Sequence, residues 1–262
     1  MNKKRNIFAR FLGSIGYGLK QFSLYLQFLG LYIIVKPLMP AKTKGKENVR
    51  KDDIKVFVTH HYVVYGPVVM YLRFPYKFHP WVIDRIMTPE SVEEQMSTGV
   101  YNNFPKFPMW FKKLAVKALR NLMVFTMKHA KAISVSRENP RANIKTLQES
   151  TALLNKGKNI LIFPEESYVT TGVGKFQTGF EHLAKYYHQK TGKCISFYPV
   201  FISKQNKTIY IEKPITYNPE NNTSDEKQKI VEYLYDSMID SYVKNECSVA
   251  YKKAPKLKRK RR

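Results

Sequence analysis

The sequence has 262 residues, 44% hydrophobic and 14% aromatic, which is material for one large domain or two small ones and excludes a disordered chain. A formal charge of +25 and a pI near 9.9 point to an anionic partner, leaving open a phospholipid surface, a phosphorylated or acyl-carrier-bound substrate, and nucleic acid. Two cysteines, Cys194 and Cys247, with no CxxC pair and no Cys/His cluster at zinc spacing, exclude a disulfide framework and a structural zinc site and make a reducing compartment the default.

Residues 1–40 open with Lys3, Lys4, Arg5 and Arg10 and continue into an apolar run, FSLYLQFLGLYIIV, from Phe22 to Val35 between Lys20 and Lys36. The run is shorter than the ~20 apolar residues of a perpendicular span, and no small-residue cleavage site follows it. It reads as an uncleaved membrane-associated helix lying at the interface; a buried helix of a soluble fold is the alternative. A full span would have to include Lys20. Residues 41–53, AKTKGKENVRKDD, are polar and charged and read as a linker.

From Ile54 short β-branched runs alternate with amphipathic ones. Strands are expected at 54–59, 132–136, 159–163, 195–202 and 208–213, and helices at 108–130, 140–156, 175–191 and 224–244. Such alternation implies an α/β domain over residues 54–250, with a largely parallel central sheet flanked by helices. Segment 108–131 places apolar residues at helical spacing beside Lys112, Lys113, Lys117, Arg120 and Lys128. It fits both a basic helix on anionic lipid and a core helix with a solvated face. Residues 251–262, YKKAPKLKRKRR, are too densely charged to pack and read as a disordered basic tail.

Ligands of parallel sheets bind at the carboxyl ends of strands. That rule singles out His60 and His61 after the first strand, Ser136 and Arg137 after the second, and Pro164 to Ser167 after the third. Adjacent strand residues face opposite ways, so at most one of the two histidines looks into a site there if extended geometry continues through the pair. Taken singly, each of these residues is an ordinary polar group at a strand end.

In order they carry a resemblance. The segment from Ser136 to Lys185, with an arginine at a strand end, then KGKNILIFPE and GKFQTGFEHLA, and the FYPV at 197–200, resembles the glycerolipid acyltransferases, the family of 1-acylglycerol-3-phosphate acyltransferase. The family's first motif, a histidine with an aspartate five residues later, falls on His61 and Gly66, so the histidine is kept and the acid is not. Its third motif, Phe-Pro-Glu-Gly-Thr-Arg, falls on Phe163 to Tyr168, keeping Glu165 and placing Glu166 and Tyr168 where glycine and arginine stand.

The resemblance implies a glycerol-phosphate acyltransferase-like fold and transfer of a fatty acyl group from acyl-CoA or acyl-carrier protein to a lysophospholipid. His61 is then the catalytic base, a role that suits an imidazole near neutral pH. Arg137, Glu165 and Lys175 are the acceptor-binding candidates, with the N-terminal N–H groups of a helix after Lys175 adding their dipole. A backbone carbonyl, Tyr65 or Asp84 remain open as the group that orients His61. No metal and no prosthetic cofactor is expected, and no GxSxG element suggests an acyl-enzyme. The expected partners are an anionic membrane, the lysophospholipid and the acyl donor, at the cytoplasmic face of the cell membrane, bound to one leaflet. Nucleic acid is not expected, since no helix-turn-helix, zinc-finger or RNP signature is present. A lipid-binding relative that has lost catalysis with the aspartate and arginine is the alternative.

Overall fold

The computed structural model describes residues 2–62, 65–94, 97, 107–136, 139–166 and 172–247. In chain order the elements are α1 (Asn2–Leu38), β1 (Lys42–Lys44), β2 (Ile54–Thr59), α2 (Tyr65–Arg73), β3 (Phe78–Ile83), α3 (Met109–His129) and β4 (Ile133–Val135). They continue with α4 (Asn143–Asn155), β5 (Asn159–Ile162), α5 (His182–Thr191), β6 (Ile195–Ser203), β7 (Thr208–Ile211), β8 (Ile215–Thr216) and α6 (Thr223–Tyr242). Two compact units result, one from residues 1–38 with 82–134 and one from 39–81 with 135–262, the boundaries falling inside β3 and β4.

The first unit is helical. α1 extends well beyond the apolar run that announces it, and packs on α3 through Phe28 against Phe125 and Tyr25 against His129, each with ring centroids 6.4 Å apart. Among the described side chains of α1, Leu24 is buried, while Phe22, Leu26, Ile33, Ile34 and Leu38 are exposed. Among the described residues no helix is long and apolar enough to cross a membrane.

The second unit is built on a mixed, mostly parallel sheet. Its order is β1-β7-β6-β2-β5-β3, with β8 also on β6. β2 pairs parallel with β5 and β6, β3 with β5, and β1 with β7; β6 runs antiparallel to β7 and β8. β6, ISFYPVFIS, lies inside the sheet between β7 and β2 and is buried along its whole length. On one face Phe57, Leu161, Tyr198, Val200 and Ile209 pack with Val69 and Met70 of α2. α6 lies against β6 and buries Ile230, Leu234 and Met238, one residue per helical turn.

The segment read as a linker contributes β1 and a 3-10 turn, Lys46–Asn48. It is tied to the sheet by Tyr198, whose hydroxyl donates to Asp53 at 2.5 Å and accepts the Arg50 N–H at 3.2 Å. Burial, and then the bond to Asp53, push that phenol up to about 12. The basic tail, 251–262, lies outside the described residues.

Candidate active site

β2, β5 and β6 run the same way, in register Val58↔Ile162 and Thr59↔Val200, so their carboxyl ends share one rim. β2 leaves the sheet there, and the two histidines diverge as strand alternation requires. His60 is fully buried, its ring stacked on Phe201 with centroids 4.8 Å apart. Its Nε2 lies 2.9 Å from the backbone nitrogen of Ile202 and 3.1 Å from that residue's carbonyl oxygen, so the ring extends the β2 to β6 ladder past Thr59 in either tautomer. Nδ1 has no hydrogen-bond partner among the described residues. Desolvation lowers the His60 pKa from 6.5 to about 4, against the backbone bond, which raises it. His60 is a neutral structural imidazole.

His61 is half-exposed, its ring 5.1 Å from that of Phe163 at the end of β5. Its backbone N–H donates to Oε2 of Glu165 at 2.6 Å, and Oε1 of the same carboxylate accepts the Gly174 N–H at 2.5 Å. Glu165 is buried; desolvation pushes its pKa up, and the two backbone bonds pull it back in part. Glu165 bridges antiparallel to Phe176, the Glu166 N–H donates to the Lys175 carbonyl at 2.9 Å, and the Gln177 N–H donates to that of Pro164 at 2.6 Å. The FPEE segment and the GKFQ segment thus form a small hairpin clipped to His61 by one carboxylate.

Gly66 is buried in the first turn of α2, which folds back on the histidines. A Cβ placed on it would stand 2.2 Å from the His61 carbonyl oxygen and 3.1 Å from that of His60. No side chain fits at 66 while this backbone stands. The position where the family's aspartate falls is filled by the main chain of the candidate base itself.

The sequence model of the Acyltransferase family matches residues 101–203, a span that holds Arg137, Glu165 and Lys175 and begins after His61. The fold is similar to that of PlsC, the 1-acyl-sn-glycerophosphate (LPA) acyltransferase from Thermotoga maritima, in its crystal structure. The TM-score is 0.50 at 15% identity, over 93% of this chain and 97% of that one. The resemblance to an acyltransferase family is borne out in sequence over residues 101–203. At this identity the structural likeness is one of fold, and no curated protein matches the sequence.

The remaining acyltransferase candidates are less gathered. Arg137 lies outside the described residues, as do Ser167 and Tyr168. Lys175 is exposed and its amine lies 3.3 Å from Oε1 of Glu166. The helix expected to begin beside it begins at His182, so its N-terminal dipole is not at Lys175. Gly179, with φ at +117° and its N–H held by Glu181 at 2.6 Å, delays the helix. Tyr65 packs edge-on to Tyr62, centroids 5.9 Å apart. Asp84 belongs to the helical unit, exposed, and accepts the Arg85 N–H at 2.9 Å. Among the described residues no group of three or more His, Cys, Asp or Glu side chains could hold a metal ion. Sequence reasoning passed over Lys204, although the strand-end rule reaches it through the turn that follows β6.

Proposed function

We propose that this chain acylates the free hydroxyl of a lysophospholipid such as 1-acylglycerol-3-phosphate, in phospholipid synthesis, with acyl-CoA or acyl-carrier protein as donor. The observation that carries the reading is the Glu165 clamp, which fixes the backbone of His61 at the shared strand ends of an acyltransferase-like fold. His61 takes the hydroxyl proton as the oxygen attacks the thioester carbonyl. The new ester C–O bond forms, the C–S bond breaks, and the imidazolium returns the proton to the leaving sulfur. Glu165 organises the loop that presents Lys175, and Arg137 and Lys175 are the cations proposed to bind the anionic acceptor. The reaction needs no metal or prosthetic group. The chain works on one leaflet at the cytoplasmic face of the cell membrane, a placement favoured by the exposed apolar side chains of α1 and α3 and by the net charge of +25.

The test is acyl transfer to lysophosphatidic acid from labelled donors by wild type and His61→Ala. A fall of about 10³-fold in turnover, with the variant still folded, is the expected result for removal of a general base. Undiminished turnover in the variant would exclude His61 as the base. A second reading, lipid recognition without catalysis, is favoured by the backbone atoms that occupy the position of the family's acid. Absence of product from wild type across donor and acceptor panels would select it.

A further inference from the structure

The third motif has Tyr168 where the family's second arginine falls, and Lys175 stands against Glu166. A different cation stands at the carboxyl end of β6, the strand that pairs with β2. Lys204 opens the turn after β6, two residues beyond Ile202, which His60 holds through Nε2. Across the rim, Tyr62 follows His61 with φ at +46°, a left-handed exit that turns the chain out of β2. The Lys204 ammonium lies 6.0 Å from the centroid of the Tyr62 ring and 5.7 Å from that of Tyr65. Such contacts steady a lysine without neutralising it. Burial, and then Glu246, raise the pKa of both phenols, so they stay uncharged beneath the ammonium. Among the described residues no ion pair includes Lys204.

The turn that carries it is fixed from below. Glu246, buried after the end of α6, accepts the Lys204 N–H at 2.9 Å. Its carboxylate is spent on backbone N–H groups of the turn rather than on the ammonium. A lysine on an immobilised turn, one strand away from the candidate base and over two aromatic faces, is arranged to receive an anion that arrives with the reacting hydroxyl.

We propose that Lys204 binds the phosphate of the acceptor, taking the place of the arginine missing from the third motif. The site rests on the lysophospholipid reading above but not on turnover. A phosphate also occurs in the carrier arm of the donor, and the two sources separate by experiment.

Equilibrium binding is measured at physiological ionic strength for lysophosphatidic acid, for the matching monoacylglycerol without phosphate, and for acyl-CoA. The proteins are wild type, Lys204→Ala, Lys204→Arg and Lys190→Ala. The last removes a lysine set 5.9 Å over the Tyr186 ring at the opposite end of β6, a matched change in charge. Loss of a charge-assisted phosphate contact weakens lysophosphatidic acid binding about tenfold in Lys204→Ala. Monoacylglycerol and acyl-CoA affinities hold, Lys204→Arg restores most of the loss, and Lys190→Ala binds as wild type. Equal weakening of monoacylglycerol, equal weakening in Lys190→Ala, or a loss confined to acyl-CoA would each overturn the assignment, as would wild type that binds no lysophosphatidic acid. Wild type that binds the lysolipid through Lys204 but turns nothing over would remove the acyltransferase reading and leave this site standing.

Discussion

Gly66 decides how the candidate base is held. In the family's arrangement an acid five residues after the histidine orients the ring, and loss of an orienting acid in a catalytic triad costs about 10⁴ in kcat. Here the same position touches the histidine's own carbonyl, so the acid cannot be put back by substitution. Gly66→Asp is expected to lower stability by about 2 kcal/mol through overpacking against backbone, with no gain in turnover. Thermal melts and the acyl-transfer assay on one preparation check it; a stable variant with raised turnover would show that the backbone yields. His60 gives a second prediction, in pH. Its pKa is 6.5 unfolded and about 4 folded, so between those values the unfolded chain binds the extra proton. Stability is unaffected by His60 above pH 6.5 and falls as pH drops from 6.5 to 4, by up to ~3 kcal/mol. Urea unfolding across that range, compared with His60→Gln, reads the difference; parallel slopes in the two proteins would contradict it. Strand alternation was enough to separate the two histidines from sequence. The Gly66 contact was not legible, because it depends on α2 folding back across the strand end, and no local pattern encodes that.

At the scale of elements, legibility followed burial. β2 and β6 announce themselves as β-branched and aromatic runs because both of their faces are covered, and their expected bounds fall within a residue of those observed. α6 is equally plain, with Asn222 accepting the Ser224 N–H at 2.9 Å as its cap. α2 and β3 are not among the expected elements, and each contains a proline. Pro67 lies in the first turn of α2, where its missing N–H costs no helical bond, and Pro80 pairs within β3 opposite Leu161. β1 was missed because three residues, two of them lysines, take strand form only by pairing with β7. The sequence of α3 fits both a core helix and a lipid-facing one. The structure buries Val116, Leu122 and Val124 and exposes Met109, Trp110, Phe111 and Leu114 at its start. An exposed tryptophan beside an exposed phenylalanine is the surface that the proposed membrane placement requires of α3.

For the whole molecule the charge and the apolar surface make one argument. The exposed large apolar side chains concentrate on α1 and at the start of α3, while the formal charge is +25, eight of the basic residues lying in 251–262. Apolar insertion alone is indifferent to head-group charge, and attraction by lysines alone vanishes in salt. A chain that uses both should sediment with vesicles rich in anionic lipid, bind neutral vesicles more weakly, and lose only part of its binding as ionic strength rises. At up to about 1 kcal/mol for each basic residue held near the lipid surface, deletion of 251–262 is expected to cost at least about tenfold in partition onto anionic vesicles, with a residue of binding that salt does not remove. That residue is the contribution of the helical unit. Equal partition onto neutral and anionic vesicles would show that the charge serves another ligand. Complete release by salt would show that α1 and α3 do not enter lipid, and the membrane placement proposed for this chain would fall with them.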